Sequence, residues 1–222
     1  MPSACLLIFD LDGTLFRTET ATIPAVREAF RERGLPVPSE AEVCFFFGKP
    51  AGDFHAWLHT QCPPEQAADL VAAIDRRELE LIGQTGELYP RVKEVLAELR
   101  AFGQMAICSN GPQEYVERVL SAHSLAPFFD RVRCRQSERD GKADMVRELL
   151  ESLGGRPAIL IGDRQEDVEA ARRNGIPVIT AAYGYGMAEE IAPADAVAVS
   201  PSDLPRLVRR LLQVQEEVPA WR

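Results

Sequence analysis

The sequence lacks closely spaced cysteines. No CxxC pair occurs, and the number of cysteines is odd; the five are Cys5, Cys44, Cys62, Cys108 and Cys134. This pattern argues against a disulfide framework and against a cysteine zinc site. Two of the cysteines lie inside apolar runs, which predicts buried free thiols. We therefore expect a reduced, cytoplasmic protein.

Positive charge is also scarce. The 34 Asp and Glu residues outnumber the 25 Lys and Arg residues, which gives a formal net charge of -9. A protein with this charge does not attract DNA or an anionic membrane through its overall field. We therefore expect neither nucleic acid nor a membrane as a partner. An anionic substrate would need a local cation or a ring of backbone amides.

Long apolar runs are missing as well. The run at residues 4–9 is far too short to span a bilayer, and residues 1–9 contain no basic leader. Internal repeats and low-complexity segments are also absent from the sequence. These features again favour a cytoplasmic location.

What the sequence does contain is a series of short, continuous apolar runs. Such runs, without polar alternation, are typical of strands buried on both faces of a parallel sheet. The clearest lie at residues 4–9, 105–108, 158–161 and 177–180, and weaker candidates lie at 129–132 and 196–199. Segments with helical periodicity separate the later runs. This alternation predicts an α/β fold with a doubly wound parallel sheet.

One segment interrupts the alternation. Residues 17–84 have helical periodicity but no clear buried strand, and Pro and Gly clusters divide them. We expect residues 1–16 and 85–222 to form an α/β core domain. Residues 17–84, called the helical insert below, are predicted to form a small cap domain.

Polar motifs follow three of the predicted strands. They are DLDGT at residues 10–14, SNG at 109–111 and GDRQED at 162–167, and Lys142 lies between the last two at a predicted helix start. Ligands of open α/β sheets bind beyond the carboxyl ends of the strands. If these strands are adjacent, four carboxylates, a hydroxyl and an ammonium group converge at one point.

Four carboxylates at one point require a compensating charge. Two like charges about 4 Å apart repel each other by roughly 4 kcal/mol at an effective dielectric constant near 20. Oxygen ligands select a hard cation, and Mg²⁺ takes one or two carboxylates together with water and substrate phosphate. The sequence therefore predicts a magnesium site, with Lys142 as a second local positive charge.

The spacing of Asp10 and Asp12 offers a route for phosphoryl transfer. A carboxylate nucleophile can form an aspartyl phosphate, and a second carboxyl group can protonate the leaving group and later deprotonate water. Thr14, Ser109 and nearby backbone amides can orient phosphate oxygens, because phosphoryl transfer depends mainly on positioning and charge stabilisation.

These motifs resemble the four motifs of haloacid dehalogenase superfamily phosphatases. The matching residues are 10–15, 107–110, Lys142 and 162–167, in the family's order and at typical spacings. The core resemblance covers essentially the whole chain outside the helical insert. An insert between the first two motifs is similar to the family's C1-type cap.

The resemblance implies a role for each matching residue. Asp10 would be the nucleophile and Asp12 the general acid and base. Mg²⁺ would be held by Asp10, the carbonyl of Asp12 and Asp163, with Asp167 binding it directly or through water. Substrate contacts are expected from Thr14, Ser109, Asn110, Gly111 and Lys142.

The cap carries a second set of candidates. C1-type caps commonly present a loop to the active site at the position of Gly48-Lys49-Pro50. Gly48 and Lys49 are therefore candidates for substrate contact, the alternative being a simply exposed lysine. The preceding residues 44–47 (CFFF) are predicted to lie in the cap core.

The resemblance implies a phosphatase for a small phosphorylated metabolite. Residues 183–186 (YGYG) are similar to a stretch of phosphoglycolate phosphatase-like relatives, whereas Ala143 stands where many of them have proline. A nucleotidase and a pyrophosphatase stay open as alternatives. A β-phosphoglucomutase-type enzyme usually carries a cap histidine where this sequence has Thr20 and Thr22. A phospho-aspartate receiver would be about half as long. We expect a monomer or a homodimer.

Overall fold

The computed structural model describes residues 5–154 and 157–217. In chain order, its strands are β1 (Cys5–Phe9), β2 (Phe16–Arg17), β3 (Glu87–Leu88), β4 (Gly103–Ser109), β5 (Arg131–Cys134), β6 (Ala158–Gly162), β7 (Val178–Ala181) and β8 (Ala196–Ala198). Six of them form one parallel sheet in the order β5-β4-β1-β6-β7-β8. β1 therefore lies in the middle of the sheet, between β4 and β6.

Helices surround this sheet. They are α1 (Glu19–Glu32), α2 (Glu40–Cys44), α3 (Ala51–His59), α4 (Pro64–Ile82), α5 (Val92–Leu99), α6 (Gln113–Ala122), α7 (Lys142–Ser152), α8 (Gln165–Asn174), α9 (Ala188–Ile191) and α10 (Leu204–Glu217). Short 3-10 turns lie at Arg100–Phe102, Ala126–Phe128 and Pro201–Asp203.

Alternate residues of the strands pack into two separate cores. On one face of β1, Leu7 and Phe9 join a cluster with the apolar sides of α5, α6 and α10. On the other face, Leu6 and Ile8 join a cluster with α7 and α8. Because successive side chains of a strand point to opposite faces, an unbroken apolar run can fill both cores. The predicted α/β fold with a doubly wound parallel sheet is confirmed.

The helical insert connects to the sheet through a small antiparallel ribbon. β2 pairs with β3, with Phe16 opposite Leu88 and Arg17 opposite Glu87. Between these strands the chain forms α1 to α4, and α1 packs along α4. This arrangement supports the division into a core and a cap, which stays a prediction.

Two local expectations need correction. The edge strand predicted at residues 129–132 begins two residues later, because Ala106 of β4 pairs with Arg131 rather than Phe129. In the CFFF segment, Phe47 is buried, but Phe45 is 58% exposed and does not belong to the cap core. Within the described residues, none of the helices is long and apolar enough to cross a membrane.

Candidate active site

Three neighbouring strands bring the sequence motifs to one edge of the sheet. β4, β1 and β6 lie side by side and run parallel, so the residues after their carboxyl ends meet. Asp10 follows β1, Ser109 ends β4, and Asp163 follows β6. All three side chains are buried. The carboxyl ends of these three strands therefore bring Asp10, Ser109 and Asp163 to the same edge of the sheet.

Asp10, Asp163 and Asp167 form a compact acidic cluster. One carboxylate oxygen from each lies within 4.8 Å of the corresponding oxygens of the other two. Burial raises the pKa of Asp10 well above its ordinary value, and burial together with the charge of Asp167 raises the pKa of Asp163 to about 8. Without a compensating charge, such a cluster favours protonated carboxyl groups.

Lys142 supplies part of that compensation. Its Nζ lies 2.8 Å from Oδ1 of Asp10 and 2.6 Å from Oδ1 of Asp167, and its side chain is only 3% exposed. Burial opposes the charged ammonium group, but the two carboxylates outweigh this effect and raise the pKa of Lys142 well above its ordinary value. Lys142 begins α7, which places it next to the sheet edge.

The cluster also keeps oxygen atoms that could hold a cation. Oδ2 of Asp10 and Oδ1 of Asp163 are buried and have no hydrogen-bond partner within the described part of the chain. Unpaired buried acceptors are costly, and oxygen donors of this type suit a hard divalent ion such as Mg²⁺. The residues present therefore fit the expected metal.

Asp12 is oriented by two hydroxyl groups. Thr18 and Tyr115 donate hydrogen bonds to the same oxygen, Oδ1, at 2.6 and 2.5 Å. Burial raises the pKa of Asp12, and the two hydrogen bonds partly offset this effect. Neither donor was identified from the sequence. Tyr115 lies in a segment with helical periodicity, and neither it nor Thr18 belongs to one of the sequence motifs.

The other motif residues take more varied positions. Thr14 is fully buried, and its hydroxyl oxygen has no hydrogen-bond partner among the residues described. The Gly111 amide donates to Oγ of Ser109 at 3.0 Å. The side-chain amide of Asn110 donates to the carbonyl of Gly48 at 3.0 Å. Asn110 thus joins the core to the cap loop, a contact that sequence spacing could not reveal.

The cap loop lies against the core at Gly48. Its φ is +77°, and a Cβ there would lie 3.0 Å from Cγ of Arg164. Glycine therefore suits this position both for its backbone conformation and for the close approach. The Nζ of Lys49 lies 3.3 Å from the centre of the Phe45 ring. The ammonium group of Lys49 thus lies over an exposed ring.

The Tyr-Gly-Tyr-Gly turn after β7 packs next to Asp163 and donates a hydrogen bond to it. The Tyr185 amide donates to Oδ2 of Asp163 at 2.7 Å, and the Tyr185 hydroxyl binds the carboxylate of Glu19 in the helical insert. Arg164, which is also buried, donates to the carbonyl of Tyr185 at 2.9 Å. These residues were not predicted as site residues, although the turn itself was visible in the sequence.

A small cavity lies between Asp12 and the helical insert. Its volume is about 70 Å³, and Asp12, Tyr115 and Gly111 line it from the core. Residues of α1, α4 and the cap loop line the other side. A larger cavity of about 350 Å³ lies between α6 and β5 and is lined by none of the predicted site residues. The smaller cavity is therefore the candidate space for a leaving group.

Comparisons with known proteins give a family match and several similar proteins. Residues 7–181 match the family described as Haloacid dehalogenase-like hydrolase. The phosphoglycolate phosphatase of Vibrio cholerae is 34% identical over 212 residues, covering 90% of this chain and 94% of that protein. The phosphoglycolate phosphatase of Yersinia pseudotuberculosis is 30% identical, with coverages of 88% and 89%. A crystal structure described as a predicted phosphoglycolate phosphatase from Haemophilus somnus has a TM-score of 0.83 at 25% identity, covering 91% of this chain and 97% of that one.

Proposed function

Because the chain belongs to the haloacid dehalogenase-like hydrolases, we propose that it hydrolyses a small phosphomonoester through an aspartyl phosphate on Asp10. The observation that carries this proposal is the environment of Asp10. One of its oxygens is held by Lys142 at 2.8 Å, and the other is buried without a hydrogen-bond donor among the described residues. A carboxylate fixed on one side and open on the other is suited to act as a nucleophile.

The reaction would follow two steps. In the first, an oxygen of Asp10 bonds to phosphorus, the bond to the leaving oxygen breaks, and Asp12 gives that oxygen a proton. In the second, Asp12 takes a proton from water, the water oxygen bonds to phosphorus, and the acyl phosphate bond breaks to release phosphate and restore Asp10. Thr18 and Tyr115 hold Oδ1 of Asp12, which leaves its Oδ2 for proton transfer.

Mg²⁺ is the cofactor that we propose. Asp10, Asp163 and the carbonyl of Asp12 would hold it, with Asp167 binding directly or through water. When bound, the ion neutralises charge on the phosphoryl oxygens. Lys142 contributes a fixed positive charge to the same group and limits repulsion between Asp10 and Asp167.

The names of the relatives make 2-phosphoglycolate the reference substrate. Nucleotidase, pyrophosphatase and phosphomutase activities stay as alternatives, because the leaving group would be recognised by the cap rather than by the carboxylates at the sheet edge. A cytoplasmic location and a monomer or homodimer complete the proposal.

Hydrolysis of p-nitrophenyl phosphate in Mg²⁺ tests the proposed function. We expect wild-type enzyme to release many equivalents of phosphate and Asp10→Asn to retain less than about 1% of the rate, because the covalent route is lost. Asp144→Asn, the same change near the start of α7 outside the cluster, is the matched control and should keep wild-type activity. Circular dichroism checks that both variants are folded.

Two outcomes would contradict this proposal. Phosphate release that stops near one equivalent per enzyme would indicate a phospho-aspartate receiver rather than a hydrolase. Substantial turnover by a folded Asp10→Asn variant would exclude Asp10 as the nucleophile.

A further inference from the structure

Tyr185 contacts both the acidic cluster and the helical insert. Its backbone amide donates a hydrogen bond to Oδ2 of Asp163 at 2.7 Å. Its hydroxyl donates to the carboxylate of Glu19, the first residue of α1, and accepts a hydrogen bond from the Glu19 amide at 3.3 Å. Its ring meets the ring of Phe47 edge to face, with the ring centres 4.9 Å apart. One residue thus connects a proposed metal ligand with two parts of the insert.

The turn that contains Tyr185 packs directly against Asp163. A Cβ placed on Gly184 would lie 2.5 Å from Oδ2 of Asp163, and a Cβ on Gly186 would lie 1.8 Å from the carbonyl oxygen of Asp163. Both distances are shorter than a side chain tolerates, so glycine suits the close approach at both positions. Because no side chain separates the backbone of the turn from Asp163, a shift of the turn changes the support of that carboxyl group.

The amide of Tyr185 determines which oxygen of Asp163 is left for an ion. Oδ2 accepts the hydrogen bond of this amide, whereas Oδ1 is buried and has no hydrogen-bond partner among the residues that the structure describes. Such hydrogen bonds hold a metal-binding carboxylate in the orientation that the ion needs, and losing one typically weakens metal binding by about 10- to 100-fold. Tyr185 is therefore placed to influence Mg²⁺ affinity without being a ligand itself.

The other end of Tyr185 is bound to the base of the helical insert. Oε2 of Glu19 accepts the hydrogen bond of the Tyr185 hydroxyl, and Oε1 of Glu19 pairs with Nε of Arg17 at 2.9 Å. Arg17 of β2 also pairs with Glu87, its neighbour on β3. Glu19 is not a member of the acidic cluster. The hydroxyl of Tyr185 is thus held by charged groups of the insert and its connecting strands.

We propose that Tyr185 is a positioning residue through which contact between the helical insert and the core strengthens Mg²⁺ binding at Asp163. When Glu19 holds the hydroxyl, the turn is fixed and its amide keeps Asp163 oriented. When that contact is lost, the amide is less constrained. Because linkage is reciprocal, Mg²⁺ strengthens the contact between Tyr185 and Glu19 by the same factor. The inference rests on the proposed function, since Asp163 is a ligand only in the metal site proposed there.

Calorimetric titration of the substrate-free protein with MgCl₂ tests this role. Tyr185→Phe keeps the ring but loses both hydrogen bonds to Glu19. We expect it to raise the Kd of Mg²⁺ by about three- to tenfold, less than the loss of a direct partner, because the amide itself remains. Glu19→Gln should change the Kd in the same direction, since a neutral amide holds the hydroxyl and Arg17 less strongly than a carboxylate does.

Tyr183→Phe is the matched control for the turn. The Tyr183 hydroxyl belongs to the same turn but donates to the Thr14 carbonyl in the core, at 3.0 Å, rather than to the insert. This variant should therefore keep the wild-type Kd of Mg²⁺. An equal loss of affinity in Tyr183→Phe would indicate a general loosening of the turn and would overturn the inference.

A double-mutant cycle tests whether Glu19 acts through Tyr185. Adding Glu19→Gln to Tyr185→Phe should leave the Kd close to that of Tyr185→Phe alone, because the hydroxyl is the proposed route from Glu19 to Asp163. Hydrogen exchange gives a second readout, in which Mg²⁺ slows exchange of the Glu19 amide in the wild type and much less in Tyr185→Phe. Fully additive effects, or a wild-type Kd in both single variants, would overturn the inference and leave the phosphatase proposal intact.

Two checks keep the test decisive. Circular dichroism shows whether each variant is folded, and Glu19→Gln, at a partly exposed side chain, measures the same link if Tyr185→Phe does not fold. A wild-type protein that binds no Mg²⁺ would instead remove the cofactor from the proposed function, and this inference would fall with it.

Discussion

The hydroxyl of Tyr115 lies 2.5 Å from Oδ1 of Asp12 and donates a hydrogen bond to it, although 103 residues separate the two in sequence. Tyr115 is on α6, which contacts α4 of the helical insert, whereas Asp12 lies shortly after β1. With Thr18 on the same oxygen at 2.6 Å, the carboxyl group of Asp12 has a defined orientation before any substrate binds. Tyr115 is therefore a positioning residue for the proposed acid and base.

Tyr115→Phe should lower kcat by about three- to tenfold with little change in KM, because Asp12 loses one of the two hydrogen bonds that fix its orientation. Steady-state kinetics with p-nitrophenyl phosphate measures both constants. Thr18→Val removes the other hydrogen bond and is the matched comparison. Wild-type kcat in both folded variants would show that these hydroxyl groups do not orient Asp12.

Lys142→Met should destabilise the protein by about 3–5 kcal/mol in the absence of Mg²⁺, because it leaves buried Asp10 and Asp167 without their cationic partner. Urea denaturation in EDTA measures the free energy of unfolding. Adding Mg²⁺ should recover part of the loss, since the ion would restore positive charge to the cluster. A variant as stable as the wild type in EDTA would mean that Lys142 does not compensate these carboxylates.

Mg²⁺ should raise the Tm of the wild-type protein, because an ion that binds only the folded state stabilises it. The free energy of unfolding increases by about 2.7 kcal/mol when the free ion is at a hundredfold excess over its Kd. Asp163→Asn should reduce this response strongly, since one of the proposed ligands loses its charge. NaCl at equal ionic strength controls for general salt effects. Equal shifts in wild type and Asp163→Asn would remove Asp163 from the metal site.

The pair formed by His55 and Asp75 should make stability depend on pH. His55 Nε2 lies 3.1 Å from Oδ1 of Asp75, and this hydrogen bond raises the pKa of His55 above its ordinary value. The stabilisation is therefore fully present below the ordinary pKa of histidine and is lost as the pH rises through the raised value.

Asp75→Asn should accordingly lower Tm more at about pH 5.5 than at about pH 8.5, with a cost below about 1 kcal/mol because the pair is partly exposed. Thermal melts at the two pH values provide the measurement. In a His55→Gln background, the pH dependence of the Asp75→Asn effect should become smaller; the remainder comes from Glu78, whose pKa is raised to about 8 by burial and by the charges of Asp12 and Asp75. A larger effect at high pH would contradict the assigned direction.

The central strands could be predicted because their apolar runs are continuous and fill both cores. The convergence of Asp10 and Asp163 could be predicted only on the condition that their strands are adjacent, since residues that follow adjacent parallel strands share one edge; the pairing of β1 with β6 meets that condition. The edge strand β5 was placed two residues too early, because its polar residues weaken the apolar pattern.

The contacts of Tyr115 and Glu78 could not be predicted from the sequence, because they depend on how helices pack against each other. Tyr115 has the spacing of a core residue on α6, and its hydroxyl reaches Asp12 only through the packing of that helix. Glu78 faces the cavity because α4 packs along α1. The local sequence pattern predicts which side of a helix is apolar. It does not predict which residues of other elements the polar groups at the edge of that side will contact.

The ribbon of β2 and β3 has a mechanical consequence for the candidate site. Both covalent links to the helical insert run side by side through one pair of short, hydrogen-bonded strands, so the two ends of the insert are constrained to turn together about a shared hinge. Such a turn would separate Gly48 from Asn110 and Glu19 from Tyr185, two of the hydrogen-bonded pairs between the insert and the rest of the chain. Access of a substrate to Asp12 is therefore linked to breaking these hydrogen bonds. One of them involves Asn110, which follows Ser109, and the other involves Tyr185, whose amide donates to Asp163.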